Sequence, residues 1–246
     1  MSLVKFFTIV FLPNFIYHYY RLYNILKMRC ICMRRLNVFI YGILAGIAIG
    51  IGGLVFLSIE NKVTGAIFFT IGMFTVLTQG LNLFTGKVCY IFERDSAYAI
   101  DLIFIWLGNL AGAFLTGSLA LSTRIAPPLT EKASGIAQAK LDDNLFSIFI
   151  LAVLCNILIF IAVDGYNKNP HEFGKYYAAV FGVAVFIICG FEHCVANMLY
   201  FTVAKAWSAK ALLYVVVMTL GNSVGGVIFP LCRQFKEKSE KQLTAK

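Results

Sequence analysis

The chain has 246 residues, of which 60% are hydrophobic and only 13% are charged, whereas soluble domains usually carry about 25% charged residues. This composition predicts one membrane domain. The net charge of +9 does not indicate a nucleic-acid binder, because the basic residues do not form a stripe interleaved with aromatic residues. The seven cysteines lack the spacing of a zinc site or of a secreted disulfide framework, so we expect reduced thiols, no metal and no cofactor.

Residues 1–36 form a basic N-terminal segment. Its apolar run from Leu3 to Tyr20 is interrupted by Pro13, and basic residues follow the run instead of a small-residue cleavage site. These features are not typical of a signal peptide. A short helix at the membrane interface is the expected structure.

Six segments are apolar over the roughly 20 residues that a helix needs to cross a bilayer. They cover residues 38–58, 64–86, 99–122, 145–164, 176–200 and 209–231. The predicted fold class is therefore all-α, a polytopic membrane protein with six transmembrane helices. Residues 37–232 would form the transmembrane domain, and residues 233–246 a basic tail.

Lysine and arginine residues are distributed unevenly between the two predicted sides of the membrane. The N-terminal segment, the second and fourth connecting loops and the C-terminal tail carry 15 of the 21. Positively charged loops usually remain in the cytoplasm. We therefore expect a multi-pass protein of the plasma membrane with both termini cytoplasmic.

Two sequence motifs occur twice in the same order. Residues 80–85 (GLNLFT) lie late in the second segment and precede residues 108–113 (GNLAGA), while residues 190–195 (GFEHCV) lie late in the fifth and precede residues 221–226 (GNSVGG). The chain thus reads as three helices written twice, and an odd number of spans per copy predicts a 3+3 inverted repeat around a pathway near the midplane. Chance similarity between glycine-rich helices is the alternative.

Gly80 and Gly190 fall inside apolar segments, and each opens a polar interruption. Broken helices are tolerated in a membrane where they are buried in protein or line a water-filled cavity. The N-terminus of a half-helix would favour an anion there. A simple kink is the alternative at both positions. Asn109 and Asn222 carry amides that could tie the interrupted segments to neighbouring backbone.

Glu192 and His193 are the only ionisable residues in the middle of a predicted span. A charge there costs about 2.5 to 3.5 kcal/mol on insertion scales, which makes a functional role the working hypothesis. Adjacent residues do not share a helix face, so one would face the pathway and the other would brace backbone. A histidine that only satisfies buried groups is the alternative. Lys140 precedes the fourth segment on the predicted outer side, where a lysine raises the local anion concentration.

Four stretches of the sequence resemble the formate/nitrite transporter family, which includes formate, nitrite and hydrosulfide channels. They are residues 83–86 (LFTG), Lys140 followed sixteen residues later by Asn156, residues 190–198 (GFEHCVANM), and residues 221–226 (GNSVGG). The third stretch is quite specific, whereas the first alone is not. Together they cover segments 2 to 6 in the right order.

The resemblance implies a homopentamer of aquaporin-like protomers, each with its own pore and with segments 2 and 5 broken. By position, His193 would face the pore centre, Thr85 would lie in the loop of the broken second helix, and Lys140 would act in the outer funnel. The residues implied in two hydrophobic constrictions are Phe69, Met73 and Phe186 on the outer side and Leu83, Phe84 and Ile159 on the inner side. The asparagines implied in the central polar network are Asn156, Asn197 and Asn222.

The sequence departs from the family pattern at two positions. Asn82 stands where family members usually have Asp or Glu, so the first repeat lacks the acid that Glu192 supplies in the second. Lys87 replaces the more usual small or amide residue and would add a cation near the inner mouth. These departures concern selectivity or gating more than the fold.

The expected function is a channel for small monovalent anions of weak acids, namely formate, nitrite or hydrosulfide. A proton supplied through His193, whose unperturbed pKa is about 6.5, would let the acid pass in nearly neutral form. A pore for water or glycerol is the nearer alternative, although neither Asn-Pro-Ala box of such channels is present. A membrane-embedded enzyme using Glu192, His193 and Cys194 is remote, because sequence neighbours seldom meet in the geometry of a triad.

Overall fold

A computed structural model describes residues 32–244, all of whose regular structure is helical. The chain divides into two compact units, Met1–Val38 and Phe39–Lys246, and every contact discussed below lies within the second. The predicted interfacial helix falls largely outside the described residues. The helices are α1 (Cys32–Ser58), α2 (Lys62–Thr78), α3 (Phe84–Lys87), α4 (Ser96–Leu121), α5 (Ala126–Leu141), α6 (Leu145–Lys168), α7 (Glu172–Cys189), α8 (Cys194–Val203) and α9 (Ala209–Thr244). A 3-10 helix, Val88–Glu93, follows α3 directly.

Five of the helices within residues 32–244 are long and apolar enough to cross a membrane, namely α1, α4, α6, α7 and α9. Helices α2 and α8 are apolar but shorter. Large apolar side chains face outward, with Phe68 57%, Phe114 52% and Phe181 60% exposed. In water this much exposed apolar surface would be a liability, so these side chains indicate a lipid-facing surface.

Glycines allow the helices of each half to approach closely. A methyl group added at Gly112 would collide with the carbonyl oxygen of Ile43, which brings α4 against α1. A methyl group added at Gly225 would collide with that of Val153, which brings α9 against α6 in the same way. Small residues at such crossings permit the backbone contact that holds membrane helices together.

Helix α5 was not predicted from the sequence. It begins with two prolines, which suit the first turn of a helix, and it is too polar to count as a span. Leu129, Ala133 and Ala137 are buried at four-residue spacing, so one face packs on the bundle. The ammonium of Lys132 donates to the carbonyl oxygen of Phe56 at 2.9 Å and also to that of Ile59, which fastens α5 to the end of α1.

Helix α9 is longer than the predicted sixth segment. It continues through Arg233 to Thr244, so the basic tail expected from residue 233 onward is helical in its described part. The guanidinium of Arg233 binds both carboxylate oxygens of Asp164 on α6, at 3.2 and 2.6 Å. This bidentate pair fixes the end of α6 against α9.

Candidate functional site

Two short non-helical segments meet in the interior. Helix α2 ends just before Gly80, whose φ is +64°, and α7 ends at Gly190, whose φ is +73°. This left-handed conformation carries little steric cost only for glycine, which is why glycine commonly terminates helices. Leu83 and His193 then cap the starts of α3 and α8. Each interruption therefore turns the chain inward for a few residues before a new helix begins.

Asn109 on α4 braces the first interruption. Its side-chain oxygen accepts from the backbone N–H of Phe84 at 2.8 Å, and its amide nitrogen donates to the carbonyl oxygens of Asn82 and Gly42, both at 2.8 Å. The amide therefore satisfies two backbone groups at the break, the N–H of Phe84 and the carbonyl of Asn82, and ties the break to α1 through the carbonyl of Gly42.

Asn222 on α9 makes the same three contacts at the second interruption. Its oxygen accepts from the N–H of Cys194 at 2.9 Å, and its nitrogen donates to the carbonyl oxygens of Glu192 and Ala152, both at 2.8 Å. The two asparagines thus make equivalent hydrogen bonds in the two halves of the chain. Asn222 is a brace in this arrangement and bonds only to backbone.

His193 lies at the centre of the site and is only 2% exposed. Its Nδ1 accepts from the N–H of Ala196 at 3.2 Å, and its Nε2 lies 3.0 Å from the hydroxyl oxygen of Thr85. Because Nδ1 is an acceptor, the neutral ring carries its hydrogen on Nε2, which donates to Thr85. The interaction joins the first residues of α3 to the cap of α8.

Glu192 forms a buried ion pair. Its carboxylate oxygens lie 2.8 and 2.6 Å from the ammonium of Lys140 on α5, and the side chains are 4% and 13% exposed. The amide of Asn197 donates to the same carboxylate at 2.7 Å. This pairing changes the role expected for Lys140, because a paired lysine presents no isolated positive charge to an outer mouth.

A cavity of about 380 Å³ opens beside these residues. Its lining includes Lys140, Glu192 and His193 as well as apolar residues such as Phe186. Lys62, at the start of α2, also borders it and was not singled out from the sequence. The cavity therefore extends from α5 to His193.

Two aromatic rings pack next to the histidine. The ring of Phe186 stacks on that of His193 with centroids 5.5 Å apart, and Phe69 meets Phe186 edge-on at 6.2 Å. Met73, one helical turn after Phe69, is buried as well. Of the three residues implied in an outer constriction, Phe186 thus contacts His193 directly and Phe69 contacts Phe186. Leu83, Phe84 and Ile159, implied in the inner one, are also buried.

Within residues 32–244, two buried amide oxygens have no hydrogen-bond partner. The nitrogen of Asn156 donates to the carbonyl oxygen of Thr85 at 3.0 Å, and that of Asn197 donates to Glu192 and to the carbonyl of His193, so both amides are oriented by acceptors. The oxygens of Asn156 and Asn197 are left unsatisfied. Buried acceptors normally find a donor, and a water molecule or a hydroxyl group would supply one.

The two positions that depart from the family pattern lie on the first interruption. The backbone N–H of Asn82 donates to the carbonyl oxygen of Tyr41 at 3.3 Å, as that of Glu192 does to Leu151. Lys87 ends α3 and is half-buried. It follows Thr85 by two positions, so its side chain points about 200° away from that of Thr85 around the helix. Lys87 therefore does not share the face that meets His193.

Comparison with known proteins identifies the family. A family model described as formate/nitrite transporter matches residues 26–235. The chain belongs to the formate/nitrite transporter family. The family predicted from the sequence motifs is thereby confirmed, and the protein is a membrane transport channel of this family and not an enzyme.

Individual relatives agree with this assignment. The probable formate transporter of Methanothermobacter thermautotrophicus is 31% identical, over 80% of this chain and 86% of that protein. A formate channel of Haemophilus influenzae is 27% identical, over 68% and 71%. Among solved structures, a pentameric formate channel with formate bound has a TM-score of 0.67 at 22% identity and covers 87% of this chain and 99% of its own. The latter similarity establishes the shared fold.

Proposed function

We propose that the chain forms a homopentameric channel for small monovalent anions of weak acids, such as formate, nitrite or hydrosulfide, with one pore in each protomer. The observation that carries the proposal is the buried contact between His193 and Thr85, which lies between an open cavity and a group of buried apolar side chains. The relatives described as formate transporters and the pentameric formate channel support the substrate class and the assembly.

The protomer would cross the membrane six times as two inverted halves. In this arrangement α2 and α3 together form the second crossing, and α7 and α8 together form the fifth. The matching contacts of Asn109 and Asn222 support it, because each joins the third helix of its half to the first helix and to the interruption. Such repeats place their substrate site at the broken helices.

In the proposed mechanism, an anion enters the cavity beside Lys140 and then meets the apolar residues Phe186 and Phe69. A full charge is costly among such side chains, so the ion needs hydrogen-bond donors or a proton. The Nε2–H of His193 and the hydroxyl group of Thr85 are the donors at this point. The ion pair of Lys140 with Glu192 adds a fixed dipole nearby without adding net charge.

Protonation of His193 requires a change in its bonding. The ring already carries hydrogen on Nε2, and Nδ1 accepts the cap bond from Ala196. A second proton can reach Nδ1 only when this cap bond opens. The histidine would therefore act first as a hydrogen-bond donor to the anion, and as a proton source once Nδ1 is charged from the cavity. The free oxygens of Asn156 and Asn197 would accept from water or from the O–H group of the neutral acid.

A pore for neutral solutes is the second candidate, since the centre carries no net charge. Flux in proteoliposomes separates the two candidates when formate, nitrite, hydrosulfide, lactate and glycerol are compared side by side. We expect the three small acids to pass and glycerol to be excluded, because only an acid gains from the donors and the titratable ring. Equal fluxes of glycerol and formate would contradict the anion channel and establish the neutral pore.

The proposed orientation places both termini in the cytoplasm. Cys232 is exposed and adjoins Arg233, whereas Cys89 is buried. A membrane-impermeant thiol reagent applied outside intact cells should therefore leave Cys232 unlabelled, and the same reagent should label it in inverted vesicles. The variant Cys232→Ser shows which part of the labelling comes from Cys232. Adding Arg124→Cys to that variant gives a positive control, because this exposed position is expected to lie outside the cell. Labelling of Cys232 from outside would refute the orientation.

A further inference from the structure

A groove of about 530 Å³ lies on the other side of α3 from the candidate pore. Helix α3, the 3-10 helix, α4 and α9 form its walls, and most of its lining is apolar, including Phe84, Val88, Ile91 and Val224. Trp106 spans the inner end, where its indole N–H donates to the hydroxyl group of Thr219 at 3.0 Å. Ser223, another polar residue of the lining, donates its hydroxyl group to the carbonyl oxygen of Thr219 at 2.8 Å.

The second half of the chain fills the equivalent place with protein. The groove is bounded by α3, α9 and α4, whose counterparts in the repeat are α8, α4 and α9. Helix α5 contacts these three counterparts and buries Leu129 and Ala133 there. In the first half the 3-10 helix contacts α3, α4 and α9, but it is one wall of an apolar groove that remains between these elements.

Two cations lie next to residues that line the groove, although neither is part of the lining. Arg94 is exposed and follows Phe92 by two positions, and Lys87, the last residue of α3, is half-buried and directly precedes Val88. Neither has an ion-pair partner among residues 32–244. The hydroxyl group of Tyr98 donates to the carbonyl oxygen of Lys87 at 2.9 Å, which holds this end against α4.

The acids on either side of Arg94 form no ion pair with the two cations among the described residues. The carboxylate of Asp95 instead caps α4 by accepting from the N–H of Tyr98 at 3.1 Å. Lys87 projects about 60° from Phe84 around α3, beside the face that lines the groove. A half-buried ammonium without a counter-charge is costly, so an anion at this position would be stabilised.

We propose that the groove binds an anionic phospholipid, with an acyl chain along Phe84, Val88 and Trp106 and the phosphate between Lys87 and Arg94. The apolar walls suit an acyl chain, and basic pockets between membrane helices bind anionic lipid headgroups. The phosphate supplies the counter-charge that the protein lacks here. Phe84, which the resemblance implies in the inner constriction, lines this groove, so the site adjoins the wall of the proposed pore, but it does not depend on which anion the channel conducts.

Titration of phosphatidylglycerol into the purified full-length oligomer in detergent, read by native mass spectrometry, tests the site. Replacing both cations, Lys87→Gln with Arg94→Gln, should weaken binding about tenfold or more, since each cation contributes about 1 kcal/mol. The matched double variant Lys236→Gln with Lys238→Gln removes two exposed charges from α9 and should bind as the wild type does. Equal affinity of both double variants would overturn the proposal.

Two further arms identify what occupies the groove. Ala99→Trp fills it and should reduce phosphatidylglycerol binding with the cations intact, whereas Leu119→Trp, on the exposed face of α4 outside the groove, should not. If Ala99→Trp instead dissociates the oligomer and leaves lipid binding unchanged, a neighbouring protomer covers the groove and the proposal fails. It also fails if inorganic phosphate displaces the lipid, because the site then recognises free phosphate.

Discussion

Replacing Glu192 with Gln is expected to destabilise the protomer by about 3 kcal/mol or more, because the change leaves the ammonium of Lys140 without its counter-charge. Breaking a buried pair usually costs about 3–5 kcal/mol, and contact of Lys140 with the cavity favours the lower end. Asn197 would in addition lose an ionised acceptor. Thermal unfolding of the purified oligomer, followed by light scattering, measures the effect.

The exposed pair on α7 provides the matched control for this variant. Lys175 and Glu172 lie 2.7 Å apart, but the glutamate side chain is 74% exposed. Glu172→Gln should therefore change stability by less than about 1 kcal/mol. Similar melting temperatures for Glu192→Gln, Glu172→Gln and the wild type would show that solvent screens the Lys140–Glu192 pair and that it does not brace the site.

A double variant distinguishes loss of the whole ion pair from the cost of leaving one of its charges unpaired. Lys140→Met combined with Glu192→Gln removes both charges, so it should recover much of the stability that Glu192→Gln loses. Its formate flux then reports whether the fixed dipole assists transport, because the remaining site is folded and neutral. A double variant no more stable than Glu192→Gln would contradict the assignment of the loss to an unpaired Lys140.

The membrane class and the family could be predicted from the sequence because both depend on local patterns. Apolar runs of span length are a property of composition, and the stretch from Gly190 to Met198 places an acid and a histidine inside such a run. The sequence also allowed Asn109 and Asn222 to be considered as residues that bind the interrupted backbone, since an amide beside an interruption has few other partners. In each case the relevant information lies within a few tens of residues.

The pairing of Lys140 with Glu192 could not be predicted, because it joins residues 52 positions apart through a helix that the sequence search did not find. Helix α5 is too polar to be predicted as a membrane span. It also has too few large apolar residues to show a clear apolar face in the sequence. Its buried face consists largely of small residues such as Ala133 and Ala137, whose packing depends on the surface they meet. The direction of the Lys87 side chain could not be predicted either, because it depends on where the single turn of α3 begins.

The proposed proton chemistry depends on His193, and His193→Asn removes the titratable ring while it keeps the local structure. Asparagine is among the best N-cap residues, so its side-chain oxygen can accept the N–H of Ala196 in place of Nδ1, and its amide can reach toward Thr85. We therefore expect a folded, membrane-inserted oligomer. His171→Asn is the matched control, because His171 is the exposed N-cap of α7 and makes no cap bond.

Formate flux in proteoliposomes containing each purified variant, measured from pH 5 to pH 8, the range around the unperturbed histidine pKa of about 6.5, tests the central claim most directly. The wild type and His171→Asn should share one pH profile, with flux rising as the pH falls because protonated histidine supplies the proton that carries the acid through the apolar residues. The flux of neutral formic acid across the lipid also changes with pH, and protein-free liposomes measure this background. After its subtraction, the flux through His193→Asn should be nearly independent of pH. A His193→Asn channel that keeps the wild-type profile would contradict the account and leave His193 as a packing residue.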